Sequence, residues 1–239
     1  VGSGMYIGDS FNAGLPSGAR MNRMRPDISG DDVAVLQYTG GTTGVSKGAV
    51  LLHRNVVANV IQSDAWNEPA MRGLPDGEQV VSVCALPLYH IFAFTINMML
   101  SMRMGGKCIL IPNPRDLPAV LKELSKHRFH NFPAVSTLFN GLANHPDFNT
   151  VDWSHLRVSL GGGTAVQSGV AKLWFDKTGC PICEGYGLSE TSPSACCNPS
   201  TTQTFSGTIG VPIPSTYMKC LDDDGNEVPL GQPGEIAIK

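Results

Sequence analysis

An apolar run, Val33-Ala34-Val35-Leu36, leads into Tyr38-Thr39-Gly40-Gly41-Thr42-Thr43-Gly44-Val45-Ser46-Lys47-Gly48. Four glycines, three threonines and one lysine stand in this stretch, a composition that favours a loop over a helix or a long strand. Glycine lets backbone N–H groups come close to an anion, threonine hydroxyls donate further hydrogen bonds, and lysine brings a mobile positive charge. Such a loop is suited to holding a polyphosphate. A Walker A loop has Gly-Lys followed by Ser or Thr. Here Lys47 follows Ser46 and precedes Gly48, so the ordinary P-loop ATPase is excluded at the residues that define it.

The chain has 239 residues, of which 42% are hydrophobic and 15% charged, enough for one large or two small domains with a real core. The net charge of -3 gives no electrostatic case for nucleic acid. The first residues do not read as a signal peptide, and no apolar run reaches bilayer length. Ile91 to Met104 is apolar but is interrupted by Asn97 and Arg103, so a buried helix is expected there. Seven cysteines without disulfide-framework spacing suit a reducing cytoplasm. Cys180-Pro-Ile-Cys183 is formally a CxxC. On a strand, positions three apart point to opposite faces, so these thiols are expected to be small buried residues rather than zinc ligands. Asp222-Asp223-Asp224-Gly225-Asn226-Glu227 lacks the ligand spacing of an EF-hand and reads as a solvated hairpin turn.

Strands and helices alternate along the chain. Val33–Gln37 is expected as a strand, followed by the phosphate loop and a helix from Arg54 to Trp66. A strand over Val80–Leu86 precedes the apolar helix from Phe92, then a strand at Cys108–Ile111. Asp116–His127 is expected as a helix, with Asp116 as N-cap and Pro118 in its first turn. A strand at Asn131–Val135, a helix from Thr137 to Asn144, a strand at Leu156–Leu160, a helix from Gln167 to Thr178 and a strand from Pro181 to Tyr186 follow. This is the pattern of βαβ units: an α/β fold with mostly parallel sheets flanked by helices. Ligands bind such sheets at the carboxyl ends of the strands, and the phosphate loop, Gly161-Gly162-Gly163 and the loop around Tyr186 all follow expected strands. Tyr217–Leu221, the Asp222 turn and Glu235–Lys239 read as strand, turn, strand. The expected organisation is an incomplete lead-in over 1–31, an α/β core over 32–212 and the start of a small β-rich subdomain over 213–239. Both ends read as cut.

A second motif, Gly185-Tyr186-Gly187-Leu188-Ser189-Glu190-Thr191, places an aromatic residue that can lie against a purine ahead of a hydroxyl and a carboxylate. With the phosphate loop, it resembles the signature of the adenylate-forming enzymes: acyl-CoA synthetases, luciferases and peptide-synthetase adenylation domains. The usual form of the first loop is Ser-Gly-Thr-Thr-Gly and then Pro-Lys-Gly. Gly40 stands in place of the serine, Ser46 in place of the proline, and Ser189 in place of a threonine in the second motif. The Gly-Gly form, Asn113-Pro114-Arg115-Asp116 and the Asp222 segment are similar to the bacterial long-chain fatty acid CoA ligases. The resemblance covers nearly the whole chain, and the chain covers only the middle of the family's length.

The resemblance implies roles at particular positions. Thr39, Gly40, Gly41, Thr42, Thr43, Gly44 and Lys47 would hold the ATP phosphates, with Lys47 neutralising the departing pyrophosphate. Gly161, Gly162, Gly163, Glu184, Gly185, Tyr186, Gly187 and Ser189 would bind the nucleotide, Tyr186 against adenine and Ser189 near the α-phosphate. Glu190 would coordinate Mg²⁺, which prefers one or two carboxylates plus phosphate oxygens. Tyr89, His90, Val135 and Gly162 would border the acyl group. A fatty acid is already ionised at neutral pH, so His90 is expected to orient the carboxylate rather than act as a base. Ala134 stands where the family usually has glycine, and its methyl is expected to narrow the acyl channel. The implied reaction uses ATP, Mg²⁺, a fatty acid and CoA to form an acyl-adenylate and then a thioester. The implied setting is cytoplasmic, and peripheral association with the inner membrane face is left open. The mobile C-terminal domain of the family is expected to be missing, leaving this stretch inactive by itself. A ligase for a medium-chain or aromatic acid, acyl transfer to a carrier protein, and a non-catalytic module that binds nucleotide or acyl-adenylate are the alternatives.

Overall fold

Strand β1 (Val33–Thr39) turns back antiparallel onto β2 (Lys47–Leu52), with Thr39 opposite Lys47. The computed structural model describes residues 27–39, 47–75 and 77–239. Two compact units are distinguished, Val1–Gly30 and Asp31–Lys239; only residues 27–30 of the first are described, and the fold below is that of the second. The glycine-rich loop therefore joins the two strands of a hairpin. The expected strand-to-helix turn in a parallel sheet is corrected: β1 and β2 form their own two-stranded sheet. β2 is hard to read because it opens on Lys47-Gly48, inside the phosphate motif itself.

Helix α1 (His53–Met71) starts directly after β2, where the Asn55 side chain accepts the Leu52 N–H at 2.9 Å. It runs past the expected end at Trp66 and carries Pro69 in its last turn. Proline removes one helical donor there, and the helix stops two residues later.

Among the described residues a seven-stranded sheet has the order β4-β3-β5-β6-β7-β8-β9. Its strands are β3 (Val81–Cys84), β4 (Lys107–Leu110), β5 (Asn131–Ala134), β6 (Val158–Gly161), β7 (Ile182–Gly187), β8 (Ser194–Cys197) and β9 (Val211–Pro212). The first five in spatial order are parallel. β8 and β9 add antiparallel pairs at one edge. The parallel part follows the expectation to within two residues at most ends. β8 and β9 were not expected, because Ser-Ala-Cys-Cys and Val-Pro are too short and too unpatterned to register as strands.

The expected apolar helix after Phe92 is a π-helix over Ala93–Met99 that continues as α2 (Leu100–Met104) and ends on Gly105 in the left-handed region, φ 62°. Helices α3 (Leu117–Leu124), α4 (Ser136–Ala143) and α5 (Ser168–Thr178) follow β4, β5 and β6. Asp116 caps α3 as expected, its carboxylate accepting the Ala119 N–H at 3.1 Å. Strands β10 (Met218–Leu221) and β11 (Glu235–Ile238) pair antiparallel in a third sheet. In the turn after β10 the Asp222 carboxylate accepts the Asp224 and Asn226 N–H groups at 3.1 and 2.8 Å.

The large core lies between the parallel strands and α3, α4 and α5. Phe129, Phe132, Phe139, Phe148, Trp153 and Trp174 form one aromatic cluster, with Phe148 stacked on Trp153 at 4.7 Å and Phe139 edge-on to Trp174 at 4.8 Å. Ala134 is fully buried within this core. Its methyl therefore fills core space and does not narrow a channel, which corrects the expectation. A smaller cluster of Leu51, Val56, Val60 and Ile91 joins β2, α1 and the π-helix region. No helix among the described residues is long and apolar enough to cross a membrane.

Candidate active site

A cavity of about 200 Å³ runs along β6 and β7 toward their carboxyl ends. Its walls come from stretches far apart in sequence. Ser63, Trp66 and Asn67 come from α1, and His90, Ile91, Phe92 and Ile96 from the turn after β3 and the π-helix. Gly161–Gly163 come from the end of β6, and Gly185–Ser189 from the end of β7. Cys196, Cys197 and Asn198 close the side formed by β8. Cavities at the carboxyl ends of parallel strands are the expected binding place in such sheets.

The glycines of these loops answer to packing as well as to a ligand. A Cβ on Gly162 would stand 3.0 Å from the Phe92 ring, so its absence lets the ring lie over the loop. A Cβ on Gly187 would fall 1.8 Å from the Pro193 carbonyl oxygen. There the β7–β8 register shifts, between Tyr186 and Gly187, and the two backbones leave no room for any side chain. His90 is exposed at the cavity edge. Its Nδ1 accepts the Phe92 N–H at 3.2 Å, so the neutral ring carries its proton on Nε2 and can donate a hydrogen bond to an anion.

The loop from Leu188 to Pro193 carries Ser189 and Glu190 in a short 3₁₀ turn, Ser189–Thr191. It is closed on itself: the Leu188 N–H reaches the Thr191 hydroxyl at 2.9 Å and the Pro193 carbonyl at 3.0 Å. Ser189 lines the cavity, Glu190 is exposed, and β2 with its Lys47 packs beside this turn. Glu190 is of a residue type that could hold a divalent cation together with phosphate oxygens and water, and among the described residues no group of three or more His, Cys, Asp or Glu side chains converges.

Several anticipated residues do not line this cavity or fall outside the described residues. Residues 40–44 and the Thr39 side chain lie outside the described residues. Tyr89 is 84% exposed, and its carbonyl accepts from Gln37 Nε2 at 3.2 Å. It borders a separate depression with Leu36, Tyr38, Leu88 and Phe94. Val135 precedes α4 and approaches Gly163 without lining the cavity. Glu184 is 6% exposed, and its carboxylate accepts the Val166 N–H at 3.0 Å. It ties β7 to the end of the glycine loop from beneath.

The polar residues that assemble the site carry no motif. Trp66 Nε1 donates to the Asn198 carbonyl at 3.0 Å, and the Ser200 hydroxyl to the Trp66 carbonyl at 2.7 Å. The Asn59 amide pairs with both backbone groups of Ser194, at 2.8 and 3.1 Å. Thr95 donates to the Ser192 carbonyl at 2.8 Å. Cys180 and Cys183 are buried as expected, with separate partners: the Ser159 hydroxyl lies at 3.4 Å from the first and the Pro199 carbonyl at 3.4 Å from the second. Burial pushes the Cys183 and Cys197 thiols up to about 12, so neither is a nucleophile near neutral pH.

Comparison with known proteins converges on one group. The chain is 50% identical over 230 residues to a long-chain-fatty-acid–CoA ligase of Escherichia coli O6:H1, covering 96% of this chain and 40% of that protein. It is 36% identical over 209 residues to the Bacillus subtilis protein of the same name, covering 87% of this chain and 36% of that one. Among solved structures, ATP-bound MatB from Rhodopseudomonas palustris matches with a TM-score of 0.81 and 28% identity, over 94% of this chain and 43% of that one. The chain thus spans about two fifths of the length of these relatives. Residues 7–239 match the AMP-binding enzyme family, and the chain belongs to that family.

Proposed function

We propose that the protein containing this chain is an AMP-forming long-chain fatty acid CoA ligase. The observation that carries the reading is the cavity, which gathers His90, the triple-glycine loop and the Gly185–Ser189 segment, with Glu190 and Lys47 on neighbouring elements. Identity to the ligases named above extends along nearly the whole chain. The fatty carboxylate attacks the α-phosphate of ATP, and the α–β bond breaks to release pyrophosphate. CoA thiolate then attacks the acyl carbonyl of the adenylate and releases AMP.

Each residue has a physical task in this scheme. His90, proton on Nε2, orients the carboxylate against the phosphorus and offsets its charge. The glycine loop leaves backbone groups open to the base and to the acyl carbon. Lys47, with Thr39, Thr42 and Thr43, neutralises the departing pyrophosphate. Glu190 would hold Mg²⁺, whose charge, when bound, stabilises the phosphate oxygens. This is catalysis by placement and electrostatics. The proposed setting is the cytoplasm, with peripheral contact to the inner membrane face.

A shorter acid is the second reading. Ser63, Asn67, Asn198 and Ser200 make one wall of the cavity polar, which suits an alkyl tail less well. ATP–pyrophosphate exchange on the complete natural chain, with palmitate, octanoate, benzoate and acetate in parallel, separates the two. Exchange strongest with palmitate is expected, and Lys47→Ala or Glu190→Gln should each lower it about 100-fold or more. Exchange strongest with octanoate or benzoate keeps the mechanism and replaces the substrate. No exchange with any acid, in a folded protein that still binds ATP, points to a non-catalytic module.

A further inference from the structure

The loop bearing Ser189 and Glu190 is short, exposed at its tip and closed mainly on itself. Thr95 and Asn59 tie the loop and the first residue of the strand after it to the rest of the site. Thr95, fully buried in the π-helix, donates its hydroxyl to the Ser192 carbonyl at 2.8 Å. Ser192 is held in the left-handed region, φ 72°, an uncommon conformation for a residue with a side chain. Asn59, 3% exposed in α1, bonds both backbone groups of Ser194 as a paired strand would.

These two anchors come from different sides of the site. Thr95 lies five residues beyond His90 on the segment that continues its turn. Asn59 lies in the helix that follows β2, the strand opened by Lys47. We infer that Thr95 and Asn59 are positioning residues: they set the Ser189–Glu190 turn in register with His90 on one side and with the phosphate-loop hairpin on the other. The inference rests on the adenylation reading above. The π-helix has a part in this geometry. Its wider turn lets Thr95 face Ser192 while Asn97, two residues on, donates to the Val83 carbonyl at 2.9 Å, fastening the same segment to β3.

The test is made in the complete natural chain with Thr95→Val, Thr95→Ser, Asn59→Leu and the double variant Thr95→Val/Asn59→Leu. Valine keeps the shape of threonine and loses the donor; serine keeps the donor. Rates of acid-dependent ATP–pyrophosphate exchange are taken per folded molecule, with kcat and the KM values separated. Thr95→Val is expected to lower kcat about tenfold, the size of one buried hydrogen bond, with KM for the acid changed less than about twofold. Thr95→Ser should recover most of the rate. Asn59→Leu should also lower kcat, and the double variant should lose less than the product of the single losses, because both anchors hold backbone two residues apart in one stretch. An unchanged kcat in Thr95→Val, or equal losses in Thr95→Val and Thr95→Ser, overturns the inference. If the parent protein shows no exchange with any acid, the adenylation reading fails first and this inference falls with it.

Discussion

The two sides of the central sheet are held by different forces. On one side, six aromatic rings and the apolar faces of α3, α4 and α5 pack against β3, β4, β5 and β7. On the other, α1, the π-helix and β8 surround a cavity and are joined by side-chain hydrogen bonds from Asn59, Thr95, Trp66, Asn97 and Asn198. The reason is geometric. A region that must stay open for a ligand cannot be stabilised by filling it, so directional bonds between buried polar groups fix its walls instead. The closed side supplies stability, and the open side supplies position.

That contrast is broken most sharply at Trp174, which has no exposed surface and touches Phe132, Phe139, Phe148 and Trp153. Trp174→Ala should cost about 3–5 kcal/mol of unfolding free energy, read by urea denaturation. A loss below about 1 kcal/mol would mean that the aromatic cluster is not the stabilising half.

Asn198 is the counterpart on the open side. Its amide donates to the Glu184 and Thr208 carbonyls and accepts from the Ser206 hydroxyl at 2.8 Å. Asn198→Leu leaves those partners short of bonds and should cost about 2 kcal/mol. Nucleotide affinity should fall as well, since Asn198 also lines the cavity. Calorimetric titration with ATP on the complete chain tests this, and unchanged affinity would remove Asn198 from the positioning set.

The smallest expected effect is a pH dependence at the rim of the sheet. His130 is buried, accepts the Val81 N–H on Nδ1 at 3.0 Å and meets Glu78 through Nε2 at 3.2 Å. Burial pulls its pKa below the usual imidazole range, and the Glu78 carboxylate opposes that only in part. The unfolded chain therefore binds a proton first. Stability is full above about pH 6.5 and declines as pH falls through the depressed folded value. Unfolding free energies measured from pH 7.5 to 5 should show this slope, and His130→Gln should flatten it. An equal slope in the variant would assign the dependence to another group.

How much of this was legible beforehand differs between the two sides. Helix α3 was readable down to its cap, because Asp116 and Pro118 act within one turn of chain. The parallel strands were readable because buried parallel strands are short apolar runs between helical stretches. On the open side, Gly161–Gly163 and Gly185–Gly187 line the cavity, yet β2, β8 and β9 stayed hidden. Lys47-Gly48 belongs to a loop motif, and Ser194 to Cys197 has no alternation. The expected parallel setting of β1 failed for the same reason: pairing in a hairpin depends on a partner whose own pattern is masked by its chemistry.

Local chemistry thus determined the elements with strong periodicity or caps and the two glycine-bearing sequence motifs, since each of these is written within about a dozen residues. Only the tertiary structure decided that Ala134 faces the core, that Glu184 supports a loop from beneath, and that Asn59 and Thr95 reach Ser194 and Ser192 from 135 and 97 residues away. A single polar side chain on a helix has no partner in its own sequence neighbourhood. Which backbone group it meets is set by how the sheet brings distant segments together.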